Sequence, residues 1–261
     1  MGLIINRNKD RAFELDLLRG VAIVMMMAMH FSWDIRYEFG LDALSYLESD
    51  WYEVFVHPVI LVLFVGLSGI CCSFSKNNLK RGLKLLGVAL AFTVVTGFIT
   101  YFMDIYCFIL FNVLHMLSVS TLFYALVIFI MDKLKLSENA KTLILGLLGI
   151  YIMSLVMHIH YYDGVSSNRL LIPTGISVEG APSVVDYMPL IPWMGVFLTG
   201  SAIGRLCYKD KKSVFATPSP LICKIKAPLE FLGRHSLIVY LIHQPIGYGI
   251  LYVIFKLLGK I

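Results

Sequence analysis

Charge is what this chain is short of. Asp, Glu, Lys and Arg together make up 15% of its 261 residues, against about 25% in soluble domains. A water-soluble fold of this size could not cover so apolar a chain, so soluble classes are excluded at the outset. Cysteine is scarce as well. Five are present, Cys71, Cys72, Cys107, Cys207 and Cys223, an odd number with no C-x-x-C pair. A disulfide framework and a zinc site are therefore not expected, and no metal is expected at all. No small-residue cleavage site follows the first apolar run, so that run reads as a retained helix rather than a removable leader. Internal repeats and low-complexity tracts are lacking too, and residues 1–261 read as one domain.

Apolar runs are what the chain has instead. The hydrophobic fraction is 58% and the mean hydropathy is +0.79. Crossing about 30 Å of hydrocarbon takes about 20 helical residues. Runs of that order, bounded by charge or by Pro, Gly and Asn, cover about 15–34, 52–74, 82–102, 106–131, 141–160, 187–207 and 235–256. The expectation is an all-α polytopic membrane bundle of about seven helices, or eight with a half-helix. The fourth run is long for one span, and Asn112 marks the place for a break.

The basic residues orient these spans. Of 22 Lys and Arg, only Arg36, Arg169, Lys256 and Lys260 fall on outer segments when the amino terminus is placed in the cytoplasm. The inner segments then hold Arg7, Lys9, Arg11, Arg19, Lys76, Lys80, Arg81, Lys84, Lys133, Lys135, Lys141, Arg205, Lys209, Lys211, Lys212, Lys224, Lys226 and Arg234. That asymmetry is the positive-inside pattern. It accounts for the net charge of +5 without nucleic acid, and points to a multi-pass protein of the cell (plasma or inner) membrane.

Ionisable groups at membrane depth cost about 2.5–3.5 kcal/mol each, which makes them functional candidates. Arg19 and His30 are eleven residues apart, about three turns plus 20°, so both fall on one helix face about 16 Å apart. Asp16 precedes Arg19 by three and Asp34 follows His30 by four, on the same face. Asp16 is placed to pair Arg19, and Asp34 to orient His30. His57, His115 and His243 fall at a similar depth to His30 on three further spans, and Tyr240 precedes His243 by three. Imidazole suits proton transfer near neutral pH. The segment DYMPLIPWMG opens the sixth span with Asp186, Tyr187 and Trp193, and Gly200 and Gly204 form a G-x-x-x-G suited to close helix packing.

Several segments together carry a family resemblance: LDLLRG at 15–20 with His30 beyond it, FVGLSGICCSFS at 64–75, FNVLHMLSVS at 111–120, DYMPLIPWMGVFLTGSAIG at 186–204, and LGRHSLIVYLIHQP at 232–245. In this order the chain resembles the transmembrane acyltransferases related to the heparan-alpha-glucosaminide N-acetyltransferase catalytic domain. The resemblance implies an acetyltransferase moving an acyl group from cytoplasmic acetyl-CoA, or another acyl-CoA, to an extracytoplasmic sugar or envelope glycan. It implies His30 as general base or acetyl carrier, with Asp34 orienting it and Arg19 holding the donor arm or polarising the thioester. His57, His115, Asp186, Tyr187, Trp193, His243 and Gln244 would contact substrate, and Arg19, Lys76, Arg81 and Arg234 would meet the acyl-CoA. The partners implied are the lipid bilayer, the acyl-CoA, the glycan acceptor and a homodimer mate. In the lysosomal members an essential histidine follows the first helix, whereas residues 34–50 here hold none, which leaves N- and O-acylation both open. Two other readings stay open at this point: a proton-coupled small-molecule transporter, and a non-catalytic membrane scaffold.

Overall fold

The computed structural model describes residues 12–160, 164–208, 213–215 and 220–260. Among them the regular structure is helical, and the one β contact is an isolated bridge between Ser166 and Val178. Eight α-helices follow in order: α1 Phe13–Trp33, α2 His57–Cys72, α3 Asn78–Met103, α4 Val113–Lys133, α5 Glu138–His160, α6 Trp193–Cys207, α7 Pro220–Arg234 and α8 Ser236–Leu257. Among the described residues, six helical stretches are long and apolar enough to cross a bilayer: Phe13–Glu38, Tyr52–Cys72, Asn78–Met103, Val113–Lys133, Glu138–Ile159 and Ser236–Leu257. The protein is a multi-pass membrane helix bundle.

Two helix starts and one additional helix differ from those read in the sequence, each for a local reason. The run at 106–131 becomes helical only at Val113, because Asn112 is an extended N-cap whose side chain accepts from the Leu114 N–H. The run at 187–207 becomes helical only at Trp193. Pro189 and Pro192 lie just upstream, and a proline disfavours α conformation in the residue before it. The third difference is α7, an additional helix that hydropathy passes over. Lys226, Glu230 and Arg234 recur along it at four-residue intervals, so one face is charged.

The chain divides into two compact units whose boundary falls inside α2: residues 12–67 with 213–260, and residues 68–208. In the first unit α1 packs on α7 and α8. Small residues let helix backbones approach closely, one source of helix–helix contact in membrane proteins. Gly20 and Gly233 provide it. A Cβ on Gly20 would lie 2.0 Å from the Leu229 carbonyl oxygen, and one on Gly233 would lie 2.0 Å from the Asp16 carbonyl oxygen. Beyond Trp33, α1 runs into a π-helical turn, Asp34–Glu38, closed by the Phe39 N–H on the Asp34 carbonyl at 3.0 Å. Phe39 then stacks on Phe255 of α8 at 4.6 Å between ring centroids.

In the second unit α3 packs on α4, and α6 packs on α4 and α5. Small residues again set the approach. Cβ atoms on Gly149 and Gly195 would each lie under 3 Å from the other's carbonyl oxygen, at 2.8 and 2.6 Å. Gly204, from the G-x-x-x-G, fits against the Ile70 carbonyl. An ion network closes one end: Lys141 lies 2.6 Å from both Asp132 and Glu138, and Arg205 pairs Glu138 and donates to the Tyr124 hydroxyl.

Candidate active site

Helix α1 brings its two polar ends to two different helices. Near its start Asp16 is 2% exposed. Arg19 donates to Asp16 Oδ1 at 3.3 Å, and Arg234 of α7 approaches Oδ2 at 3.7 Å. Arg234 also donates to Glu230 at 2.9 Å. Lys226 pairs Glu230 at 3.3 Å and lies over the Phe13 ring at 4.5 Å. Three cations thus face two carboxylates. Glu14, also buried, accepts from the Ser213 hydroxyl and the Val214 N–H at 2.7 and 2.8 Å.

At its far end α1 meets α8. His30 Nδ1 lies 2.7 Å from His243 Nε2, and the two rings stack nearly parallel, 5.0 Å apart. His243 Nδ1 lies 2.7 Å from the Tyr240 carbonyl oxygen. These contacts assign the protons. A carbonyl only accepts, so His243 Nδ1 carries the hydrogen and, in the neutral ring, Nε2 is left with a lone pair. His30 Nδ1 must then donate to it. The neutral His30 ring therefore holds its own lone pair on Nε2. His30 is half-buried, whereas His243 is 6% exposed.

One turn beyond His30, Asp34 is 3% exposed. From its spacing Asp34 is expected to orient His30. Its hydrogen bonds run to Gln244 instead, whose Nε2 donates to both carboxylate oxygens at 2.9 and 3.0 Å. The ring of His30 has turned to α8, and the next residue of α8 meets Asp34. Gly247 makes room for this pairing, since a Cβ there would meet the Phe31 ring at 2.0 Å. His57 opens α2, half-buried, its ring parallel to that of Tyr52 with centroids 6.4 Å apart. Tyr46 packs edge-on against Tyr52 and donates from its hydroxyl to Ser32 at 3.0 Å. The connection between α1 and α2 is latched by Arg36, which donates to Glu48 at 2.8 and 2.9 Å and to the Ala43 carbonyl at 3.1 Å. Hydrogen bonding from Arg36 holds the Glu48 carboxyl below its usual pKa.

The second unit has its own buried polar network. Asn112 is fully buried. His115 places Nδ1 3.0 Å from Asn112 Oδ1 and Nε2 3.1 Å from the Thr93 hydroxyl. Asn112 Nδ2 donates to Asp186 Oδ2 at 3.5 Å, and Asp186 adopts a left-handed backbone with φ of 54°. The neighbouring Tyr187 donates to the Ile172 carbonyl, and burial raises its phenol above the usual value. Trp193 is the half-buried first residue of α6. Lys76 is exposed in the turn between α2 and α3, and Arg81 is half-buried in the first turn of α3.

The structure thus joins His30 to His243, Asp34 to Gln244, Arg19 to Arg234 through Asp16, and His115 to Asp186 through Asn112. Sequence reasoning passes over Thr93, Gly20, Gly233, Gly247 and Glu230. A signal existed for Glu230 alone, as the middle of the charged stripe on α7. The basic residues Arg7, Lys9, Arg11, Lys209, Lys211 and Lys212 lie outside the described residues.

The family described as heparan-alpha-glucosaminide N-acetyltransferase, catalytic, matches residues 11–245, and the chain belongs to it. No curated protein and no solved structure matches.

Proposed function

We propose that this member of a membrane acetyltransferase family takes an acetyl group from acetyl-CoA on the cytoplasmic side. It passes the group to a hydroxyl or amine of an extracytoplasmic sugar or envelope glycan, with His30 as general base. The observation that carries this reading is the hydrogen-bond relay from His30 through His243 to the Tyr240 carbonyl. It leaves a lone pair on His30 Nε2 in a half-buried ring whose other nitrogen is held in place. A general base needs that lone pair and a partner that orients the ring, which is the logic of catalytic triads.

The acceptor oxygen or nitrogen attacks the thioester carbonyl carbon and its proton passes to His30 Nε2. The C–S bond breaks, and the leaving thiolate recovers that proton, giving CoA thiol and the acetylated sugar. While His30 carries the proton, its Nδ1–H donates to His243 Nε2 as a charge-assisted bond, stronger than the neutral one. Arg19 and Arg234, two guanidinium groups sharing Asp16, are suited to the phosphates of the donor, because guanidinium groups bind phosphate in a two-pronged geometry. Arg19 lies about 16 Å along α1 from His30, about the reach of a pantetheine arm, and Arg234 of α7 meets it at Asp16. Lys76 and Arg81 enter this reading by charge alone.

Titration calorimetry with acetyl-CoA on the detergent-purified protein tests the reading. Saturable binding weakened in Arg19→Ala, together with CoA-thiol release abolished in His30→Ala, is the expected result. A folded wild type that binds neither acetyl-CoA nor longer acyl-CoAs would overturn it.

A further inference from the structure

Beside the histidine relay, Gln244 has an amide whose orientation is imposed and whose second polar atom has no partner among the described residues. Both oxygens of Asp34 accept from Gln244 Nε2, at 2.9 and 3.0 Å. A carboxylate accepts and does not donate, so the amide cannot turn its oxygen toward Asp34. Oε1 is therefore held on the opposite side of the amide. It is buried, and it has no hydrogen-bond partner among the described residues. Leaving a buried polar atom unpaired costs free energy, and natural proteins seldom do so without a use. The location supplies one, because Gln244 follows His243 directly in α8, and its partner Asp34 lies one turn along α1 from His30.

We propose that Gln244 reads the acceptor. Its Oε1 takes a hydrogen bond from an O–H or N–H group neighbouring the atom to be acetylated, and Asp34 is the positioning residue that fixes the amide. This rests on the acetyltransferase reading and names the chemistry of its acceptor. Oε1 is an acceptor only and has a carboxylate behind it, so the group it meets is a hydroxyl or an ammonium, never a carboxylate or sulfate. A sugar with adjacent hydroxyl or amino groups fits, one group reacting while its neighbour is read. A mono-alcohol or a phospholipid phosphate does not.

The test is a cycle between protein and probe. Full-length protein in detergent is assayed for acetyl transfer from acetyl-CoA to glucose, to its 2-, 3-, 4- and 6-deoxy forms, and to glucosamine. In wild type one deoxy form should raise the acceptor KM about 10- to 100-fold, the loss of one hydrogen bond in a buried site. In Gln244→Met, of similar length, the glucose KM should rise by the same factor, and the penalty for that deoxy form should vanish. The acetyl-CoA Kd should change less than twofold. A merely structural role would weaken all probes alike and leave the deoxy penalties intact, which would overturn the proposal. Glucosamine separates the two sources of the donor: a larger Gln244→Met effect than with glucose assigns an ammonium, an equal one a hydroxyl. Should Gln244→Met not bind acetyl-CoA, Gln244→Asn, which withdraws the amide by one carbon, gives the same reading. A wild type that binds acetyl-CoA but acetylates none of the probes overturns this inference alone. One that binds no acyl-CoA overturns the proposed function itself.

Discussion

Replacing His243 by Phe asks whether the histidine relay is chemical or only a packing contact. His243 is 6% exposed, stacked on His30 at 5.0 Å, and phenylalanine preserves its planar bulk. What goes is the 2.7 Å acceptor for His30 Nδ1–H. In the resting enzyme that bond joins two neutral rings and is worth about 0.5–1.5 kcal/mol. In the proposed reaction His30 takes the acceptor's proton, and the bond then becomes charge-assisted and rises to about 1.5–3 kcal/mol. The difference falls on the transition state, so kcat should drop while acetyl-CoA affinity stays near wild type. That difference, about 1–1.5 kcal/mol, corresponds to a decrease of about fivefold to 13-fold, at 1.36 kcal/mol per decade. His243→Gln, whose amide oxygen can accept from the same N–H, should recover part of it. The assay is CoA-thiol release at saturating acetyl-CoA and acceptor, with melting temperature as the control. A His243→Phe protein that melts like wild type and turns over within about twofold of it would refute the relay.

Four further outcomes follow from the geometry. Gly20→Ala and Gly233→Ala each drive a methyl to 2.0 Å from a backbone oxygen, so α1 and α7 must separate, at about 1–3 kcal/mol. Gly87→Ala and Gly249→Ala meet open space and should be neutral or gain up to about 1 kcal/mol in helix propensity; thermal unfolding in detergent compares the four. Asp34→Ala should raise the acceptor KM more than Asp34→Asn, because Asn keeps an oxygen for the Gln244 amide; steady-state kinetics reads the ratio. Asn112→Ala removes the N-cap of α4 and should lower stability by about 1 kcal/mol or more, the residue being fully buried. The Glu48 carboxyl is depressed by Arg36, so its contribution is present above the unfolded carboxylate value and lost as pH falls through the lower folded one. Protease cleavage within 39–50 should therefore stay slow at neutral pH and accelerate in strong acid, and Arg36→Ala should abolish that pH dependence.

The membrane class and most helices are legible in the chain because hydropathy is a local, additive property. Five of the seven apolar runs are helices near the expected bounds, and Asn112 is the break its position in an overlong run announces. The family was equally legible, since its motifs are contiguous and lie in order along residues 11–245. Helical periodicity even put Asp16 with Arg19, an i,i+3 pair within one turn. Hydropathy failed at α7, where alternating charge lowers the average although the helix packs against α1.

What periodicity could not supply was the partner of each polar group across helices. The spacing of His30 and Asp34 allows them to meet, yet the fold turns His30 to His243 and Asp34 to Gln244. Those pairings connect residues 213 and 210 positions apart. They depend on how closely α8 approaches α1, which Gly247 permits by leaving space for the Phe31 ring. Residue type and helical face were therefore determined by the sequence, one turn at a time. Which nitrogen of His30 holds the lone pair, and which way the Gln244 amide points, were decided only when the tertiary structure set acceptors against donors, because hydrogen-bond direction is a property of the pair.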